Sequence, residues 1–266
     1  MKSRQAFLLH LPVSRVVSRK TCSLRTQVCA KVSSPPADIL IVAANRGLGA
    51  HLSTALRGTE NLHTTHRPCS SASAEQQQVS TTHPLDALDE SETDALLSGL
   101  RPNVVVSCIG GRAGQWDLPD FEGNKNLIDA SKRAGVKRFI LVSALGAGNS
   151  EGSVPFQVMD TMRPLLLEKS RAELHLKEIE GMEWTIVRPA PIVDGGRGKP
   201  VATEDISCYG TITRPDLAEV VKKIIGSDKA SNKTLHIVDR TGLLIVAPYV
   251  RPLEFWEPLP FTEFDL

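Results

Sequence analysis

Residues 39–50 read ILIVAANRGLGA, and this stretch decides the fold. The apolar run Ile39–Val42 predicts a buried strand, and apolar residues at helical spacing follow from Leu48. The small residues of the intervening turn are Ala43, Gly47 and Gly49. A strand, a glycine-rich turn and a helix form the first unit of many dinucleotide-binding domains, because the turn lets backbone N–H groups approach a pyrophosphate.

The spacing of these small residues is (G/A)-x-x-x-G-x-G, which resembles the short-chain dehydrogenase/reductase superfamily. Ala43 departs from it, because that superfamily usually has glycine there. If the position requires a positive φ, an alanine costs about 1 kcal/mol. We expect the whole turn to contact a dinucleotide, with the cofactor-binding residues Ala43, Asn45, Arg46, Gly47, Leu48 and Gly49.

Charge is distributed unevenly along the chain. The 266 residues are 41% hydrophobic and carry a formal net charge of +1. Residues 1–37 contain seven Lys/Arg and no acid, so the remainder holds 24 basic and 30 acidic residues, a net charge of −6. A mildly acidic body gives no reason to expect nucleic-acid binding. No apolar run is long enough to predict a transmembrane segment.

Residues 1–37 have the composition of an organelle transit peptide followed by a Ser/Pro linker. Val28-Cys29-Ala30 resembles a plastid processing site, which favours the chloroplast (stroma or thylakoid surface), with the mitochondrion as the alternative. A basic arm that stays attached is a further alternative. Cleavage after Ala30 leaves three widely spaced cysteines, which suggest neither a disulfide framework nor a metal site: Cys69, Cys108 and Cys208.

Strands and helices alternate at least five times between residues 38 and 240. This pattern predicts an α/β fold with a doubly wound parallel sheet (a Rossmann fold) in a single domain with a C-terminal extension. We expect a long helix over Met162–Ile179, a helix over Asp89–Leu100 with Ser91 and Asp94 at capping-box spacing, and a Gly/Pro-containing loop over 190–212.

Residues 241–266 form a Pro/aromatic-rich C-terminal tail in the sequence. Two interpretations are open for this tail. It either folds over its own domain or docks to a partner protein or a membrane-associated complex.

Three further stretches carry a closer resemblance. They are FEGNKNLIDASKRAGVKRFILVSALGAG (121–148), EKSRAELHLKEIEGMEWTIVRP (168–189) and ITRPDLAEVV (212–221). Together they resemble the atypical short-chain dehydrogenase/reductases, particularly the NmrA-like group and its plastid relatives. The resemblance covers about 38–240 and implies a Rossmann fold that binds NAD(P). It does not imply one reaction, because the group includes reductases, redox-sensing regulators and assembly factors.

The end of the second strand favours NADP(H) over NAD(H). NAD-preferring sites place an acid there to hold the ribose hydroxyls, but no acid stands between Glu60 and Glu75. Arg46 and Arg67 are present instead, and guanidinium groups suit a 2′-phosphate. The alternative is that both arginines are simply solvated.

The resemblance also implies roles for residues later in the chain. Gly110 would end a strand beside the adenine and ribose, Ser143 would lie near the nicotinamide, and Lys169 would bond the nicotinamide ribose. Asn124 would face the same region or stabilise its helix. Glu173, one turn after Lys169, would pair with that lysine or orient it.

The superfamily's proton donor, the Tyr of Y-x-x-x-K, is missing. Its position is Leu165, and neither Tyr209 nor Tyr249 has a lysine four residues later. Carbonyl reduction becomes less favoured than reduction of a flavin, quinone or conjugated double bond. The leading hypothesis is an NADPH-dependent oxidoreductase with Ser143 and Lys169 as catalytic residues. The alternative is a non-catalytic NADP(H)-binding redox sensor or assembly factor of the chloroplast.

Overall fold

A computed structural model describes residues 38–68, 80–111, 119–206 and 208–243. The predicted transit peptide and all but the first residues of the predicted tail lie outside these ranges. The strands are β1 (Ile39–Val42), β2 (Leu62–His66), β3 (Thr81–Pro84), β4 (Val104–Ser107), β5 (Arg138–Val142), β6 (Glu183–Pro189), β7 (Ile192–Val193), β8 (Pro200–Thr203), β9 (Ile212–Thr213) and β10 (Lys233–Asp239). The α-helices are α1 (Gly47–Ala55), α2 (Glu90–Leu100), α3 (Glu122–Ala134), α4 (Phe156–Glu178) and α5 (Arg214–Ile225).

Eight strands form one sheet in the order β3-β2-β1-β4-β5-β6-β10-β8. Every pairing in it is parallel except β8 against β10. The order reverses at β1, so β1 and β4 flank the point where the carboxyl edge of a doubly wound sheet opens to a ligand. The predicted fold class is confirmed.

The core divides into two layers, one on each face of the sheet. Alternate residues of β1 point to opposite faces, with Leu40 in one apolar cluster and Ile41 in the other. Leucines of α2 and α3 join the cluster of Leu40, whereas α1 and α5 pack against each other over Ile41. This arrangement leaves the carboxyl edge of the sheet as the place where the connecting loops meet.

The predicted start of one helix and the predicted cap of another are wrong. Helix α4 begins at Phe156 rather than at Met162. A start at Met162 would place Pro164 in the first turn, where proline is tolerated, but in the structure Pro164 lies inside the helix. Helix α2 is capped by Asp89, whose side chain accepts a hydrogen bond from the Glu92 N–H. Ser91 therefore lies inside the helix and is not its cap.

The predicted loop over 190–212 is also wrong in part. It contains β7, β8 and β9, of which β7 and β9 pair as a small separate sheet. These strands are two to four residues long, and Pro200 occupies the first position of the edge strand β8, where a missing N–H is tolerated. Strands this short leave little periodicity in the sequence, and the same holds for the four-residue β3.

None of the helices within the described ranges, including the 23-residue α4, is both long and apolar enough to cross a bilayer.

Candidate functional site

The turn between β1 and α1 is tight and is tied to the end of β2. Ala43 has φ 61° and Gly47 has φ 58°, both in the left-handed region. The Ala43 N–H donates to the hydroxyl of Thr65 at 3.1 Å, and the Ala44 N–H donates to the Thr65 carbonyl at 2.9 Å. Ala43 therefore carries the free-energy cost expected for an alanine with a positive φ. Thr65, at the end of β2, holds the strained turn.

Gly49 is required for a close approach between α1 and this turn. A Cβ at Gly49 would lie 2.6 Å from the Ala43 carbonyl oxygen and 2.7 Å from the Ala44 Cα, both backbone atoms. Arg46 is the N-cap of α1 and makes no capping hydrogen bond with its side chain. The Arg46 side chain thus occupies none of the N–H groups of the first turn, and a helix start of this kind suits an anion.

The other predicted cofactor contacts of this turn differ in what they can offer. Leu48 is buried in the core, so it can contribute only its backbone N–H. Asn45 lies in the turn itself. Arg46 and Arg67 are exposed, and Arg67 directly follows β2 at the same edge of the sheet. Both arginines are therefore placed where a group on the adenine ribose would lie in a fold of this type.

Lys169 forms a buried ion pair at the end of β4. Its Nζ lies 2.8 Å from Asp120 Oδ1, and the Asp120 side chain has no exposed surface. The other carboxylate oxygen accepts the Gly111 N–H at 2.7 Å. A Cβ at Gly110 would lie 3.6 Å from Lys169 Nζ, so the predicted Gly110 and Lys169 are brought together.

Asn124 braces Asp120 from α3. Its amide N–H donates to the Asp120 carbonyl at 2.6 Å, and its carbonyl oxygen accepts from the Ser107 hydroxyl at 2.5 Å. Asn124 and Ser107 are both buried. Asn124 therefore ties the start of α3 to the end of β4, and it fixes the backbone that carries the partner of Lys169.

Ser143 belongs to a second buried group, which is centred on Glu173, one turn after Lys169 on α4. Its hydroxyl donates to Glu173 Oε1 at 2.5 Å. The same carboxylate accepts Arg188 Nε at 2.9 Å and Arg188 Nη2 at 2.5 Å, a bidentate pair in which both side chains are at most 3% exposed. The expected pairing of Glu173 with Lys169 is wrong, because each of the two has a different buried partner.

Arg188 has further contacts that close this group. One guanidinium nitrogen donates to Asn149 Oδ1 at 2.6 Å, and that nitrogen lies 3.5 Å from His236 Nε2. Burial, and then the Arg188 charge, lower the pKa of His236 to about 4, so the imidazole is neutral at pH 7. Gly148 (φ 54°) leaves room for the arginine, since a Cβ there would lie 2.3 Å from Arg188 Nη2.

No tyrosine within the described ranges stands at the position of the Y-x-x-x-K tyrosine. Leu165 lies one turn before Lys169 and is buried in the core. Tyr209 is also a core residue, and Tyr249 lies outside the described ranges. Cys108 packs against the core, and burial raises the pKa of its thiol to about 12, so it is not a thiolate nucleophile.

Sequence reasoning missed Asp120 and the pairing of Arg188. The available signal for Asp120 was an acid between Pro119 and Phe121, directly before the resembling stretch. No group of His, Cys, Asp or Glu among the described residues has the arrangement of a metal site.

The chain is similar to several curated proteins. It is 30% identical over 158 residues to an uncharacterised chloroplastic protein of Arabidopsis thaliana, covering 57% of this chain and 54% of that protein. It is 32% identical to an uncharacterised sugar epimerase of Bacillus subtilis, covering 56% and 67%. It is 29% identical to sanguinarine reductase of Eschscholzia californica, covering 56% and 54%. The chain thus spans little more than half the length of most of these relatives, and chloroplastic relatives support a plastid location.

Two solved structures share the fold. An anaerobilin reductase of Escherichia coli O157:H7 superposes with a TM-score of 0.68 at 23% identity, covering 76% of this chain and 97% of that one. A short-chain dehydrogenase/reductase of Veillonella parvula, solved in complex with NADP, gives 0.63 at 13% identity, covering 77% and 95%.

A family model described as NAD(P)H-binding matches residues 43–228, from the strained Ala43 through the end of α5. The matched range contains the glycine turn, Lys169 and the buried group around Arg188. With its mostly parallel sheet and this match over most of its length, the chain belongs to the NAD(P)H-binding family of Rossmann-fold proteins.

Proposed function

We propose that this protein is an NADPH-dependent oxidoreductase of the plastid that works without the tyrosine of Y-x-x-x-K. The observation that carries the proposal is the Lys169–Asp120 pair beside Gly110, at the same sheet edge as the β1–α1 turn. An apolar residue could pack at this depth without the free-energy cost of burying a charge. The presence of a lysine here therefore supports a ligand-binding role.

The cofactor contacts follow from the elements at this edge. The N–H groups of the first turn of α1 would hold the pyrophosphate, and Arg46 and Arg67 would hold a 2′-phosphate. Lys169 would hold the nicotinamide ribose, since an ammonium has donors left after its contact with Asp120. The NADP in the structure from Veillonella parvula supports NADP(H) as the first cofactor to test.

The charge balance of the site narrows the class of acceptor. Lys169 and Arg188 each face a buried carboxylate, so neither presents an uncompensated positive charge to an oxyanion. A bound nicotinamide supplies a hydride, and the chain supplies its orientation. We therefore propose acceptors that do not pass through an alkoxide, such as a flavin, a quinone or a conjugated double bond. The reductases among the relatives support this class.

A non-catalytic role as a redox sensor or assembly factor is the second candidate. It is favoured by Leu165, an apolar residue buried where the superfamily has its proton donor. In this form the same residues bind the dinucleotide, but no acceptor is turned over.

Binding is tested on the full chain by calorimetric titration with NADPH and NADH. We expect NADPH to bind more tightly, and Arg67→Ala to remove most of that preference. Arg57→Ala is the matched control, because Arg57 is an exposed arginine beyond the far end of α1. Equal affinities for the two dinucleotides in the wild type would contradict the proposed cofactor, and failure of both to bind would overturn the function as a whole.

Turnover is tested with NADPH and a panel of a flavin, a quinone and a conjugated enone. Lys169→Ala should abolish NADPH oxidation, while Lys137→Ala, an exposed lysine at the opposite sheet edge, should keep it. Tight NADPH binding with no turnover on any acceptor class would favour the sensor or assembly role.

A further inference from the structure

The hydroxyl of Ser143 has its single proton committed to the protein. A carboxylate that bonds both nitrogens of an arginine is ionised and can only accept hydrogen bonds. Glu173 is such a carboxylate, because Arg188 donates to both of its oxygens. The 2.5 Å contact between Ser143 Oγ and Glu173 Oε1 must therefore use the serine proton. What Ser143 can still offer to a ligand is its lone pairs.

The geometry prevents Ser143 from turning this proton outward. Glu173 and Arg188 are both buried, and Arg188 is held in addition by Asn149 and packed under Gly148. The backbone of Ser143 is fixed as well, since its N–H donates to the Val187 carbonyl at 2.8 Å. Releasing the proton would break the bond from the serine to a buried carboxylate, whose Oε1 would then keep its bond from Arg188 Nε.

Ser143 lies on the same stretch of the sheet edge as Lys169. It follows β5, the neighbour of β4, and its partner Glu173 is one helical turn from Lys169 on α4. A ligand held by Lys169 would therefore lie on the side of the edge where Ser143 is. A ketone or quinone oxygen is only an acceptor and cannot bond to Ser143 in this state, whereas the carboxamide NH₂ of nicotinamide is a donor.

We propose that Glu173, held by Arg188, fixes Ser143 as a hydrogen-bond acceptor for the carboxamide N–H of a bound nicotinamide, so that Ser143 orients the cofactor and does not protonate the substrate. This inference rests on the proposed function. It makes Glu173 and Arg188 positioning residues, and it moves Ser143 from the catalytic role expected from the sequence to a cofactor-orienting one.

The test compares two cofactors that differ only at this contact. The full chain is titrated with NADPH and with reduced 3-acetylpyridine adenine dinucleotide phosphate, in which a methyl group replaces the carboxamide NH₂. We expect the wild type to bind NADPH about tenfold more tightly, the value of one good hydrogen bond. Ser143→Ala should bring the two affinities close to each other. Ser131→Ala, a buried serine of α3 remote from this edge, should keep the tenfold ratio.

Glu173→Gln is an independent test, because the glutamine amide can donate a hydrogen bond to Ser143. The Ser143 hydroxyl would then accept this bond and its own proton would be free to donate. The tenfold preference should be lost in this variant while Ser143 is still present. If this variant does not fold, the Ser143→Ala arm decides alone, since it leaves the Glu173–Arg188 pair intact.

The outcomes separate the inference from the function on which it rests. Equal binding of both cofactors by the wild type, or a tenfold ratio that survives Ser143→Ala, overturns the inference and leaves the proposed function standing. Failure of the wild type to bind either dinucleotide overturns both.

Discussion

The β1–α1 turn meets a ligand with backbone atoms, whereas the end formed by β4, β5 and β6 meets it with side chains held by buried ion pairs. At the turn, the positive φ of Gly47 and the close approach at Gly49 set the shape. At the other end, Lys169 and Ser143 take their positions from Asp120 and Glu173. The first end depends on the absence of side-chain atoms, and the second depends on charge balance.

This difference predicts different sensitivities. The backbone end should tolerate most changes except an added Cβ, because N–H groups are common to nearly all residues. The side-chain end should be sensitive to any change that leaves one buried charge without its partner.

The largest expected effect is at the Glu173–Arg188 pair. Arg188→Met should lower the free energy of unfolding by about 3–5 kcal/mol, because it leaves the Glu173 charge buried and unpaired. The double variant Arg188→Met/Glu173→Gln should recover a large part of this loss. Urea unfolding followed by circular dichroism measures both.

A surface pair gives the control for this prediction. Arg133→Met breaks the exposed contact with Asp94 and should change stability by less than about 1 kcal/mol. A loss of similar size in Arg188→Met and Arg133→Met would mean that the side-chain end does not depend on buried charge.

The next effect is a dependence on pH at the same end. The folded pKa of His236 is about 4, against 6.5 for an ordinary histidine. The unfolded chain therefore takes up a proton as the pH falls through 6.5 while the folded chain does not, so stability present above that pH is lost down to about pH 4. The loss is at most roughly 3 kcal/mol.

His236→Gln should flatten this part of the curve of unfolding free energy against pH. The comparison is needed because burial also lowers the pKa of His83, which acts in the same window. The pKa values of Asp129 and Asp239 are lowered from 3.8, so these two residues change the stability only below the pH window of His236. Identical slopes for wild type and His236→Gln between pH 6.5 and 4 would contradict the prediction.

At the backbone end, Gly49→Ala should destabilise the protein by about 2 kcal/mol and abolish dinucleotide binding. The added Cβ would meet two backbone atoms that cannot move independently of the turn. Gly99→Ala is the matched control, because a Cβ at this exposed position of α2 meets nothing within 4 Å. It should leave binding unchanged and raise stability by up to about 1 kcal/mol. Thermal unfolding and titration with NADPH measure the two effects.

The smallest effect has the opposite sign. Ala43→Gly should raise the free energy of unfolding by about 0.5–1 kcal/mol, because relief of the left-handed alanine exceeds the added entropy of glycine in the unfolded chain. The measured midpoint of urea unfolding should shift upward with an unchanged slope. A lower midpoint would show that the Ala43 methyl group makes a contact worth more than the strain.

The same contrast explains what could be predicted from the sequence. The turn was predictable because its signal is local, and the spacing of Ala43, Gly47 and Gly49 reports backbone conformations within seven residues. The alternation of strands and helices was predictable for the same reason. The short strands of 190–212 were not, since two residues carry no period.

The ion pairs were unpredictable because their partners are distant in sequence. Ser143 and Glu173 are 30 residues apart, and Glu173 and Arg188 are 15 apart across the start of a new strand. Glu173 has a local candidate partner in Lys169, one turn away on α4, and helical spacing alone cannot reveal that each side chain turns to another element.

The position of β10 has a consequence for biosynthesis. It follows α5 in the sequence, yet it lies inside the sheet, and its pairing with β6 sets His236 opposite Arg188. A nascent chain that has emerged only through α5 already carries the glycine turn, Lys169 and Arg188, but it exposes an open edge on β6. Open strand edges invite pairing with other chains. Until β10 leaves the ribosome, the growing polypeptide should therefore depend on chaperones to keep that edge from aggregating.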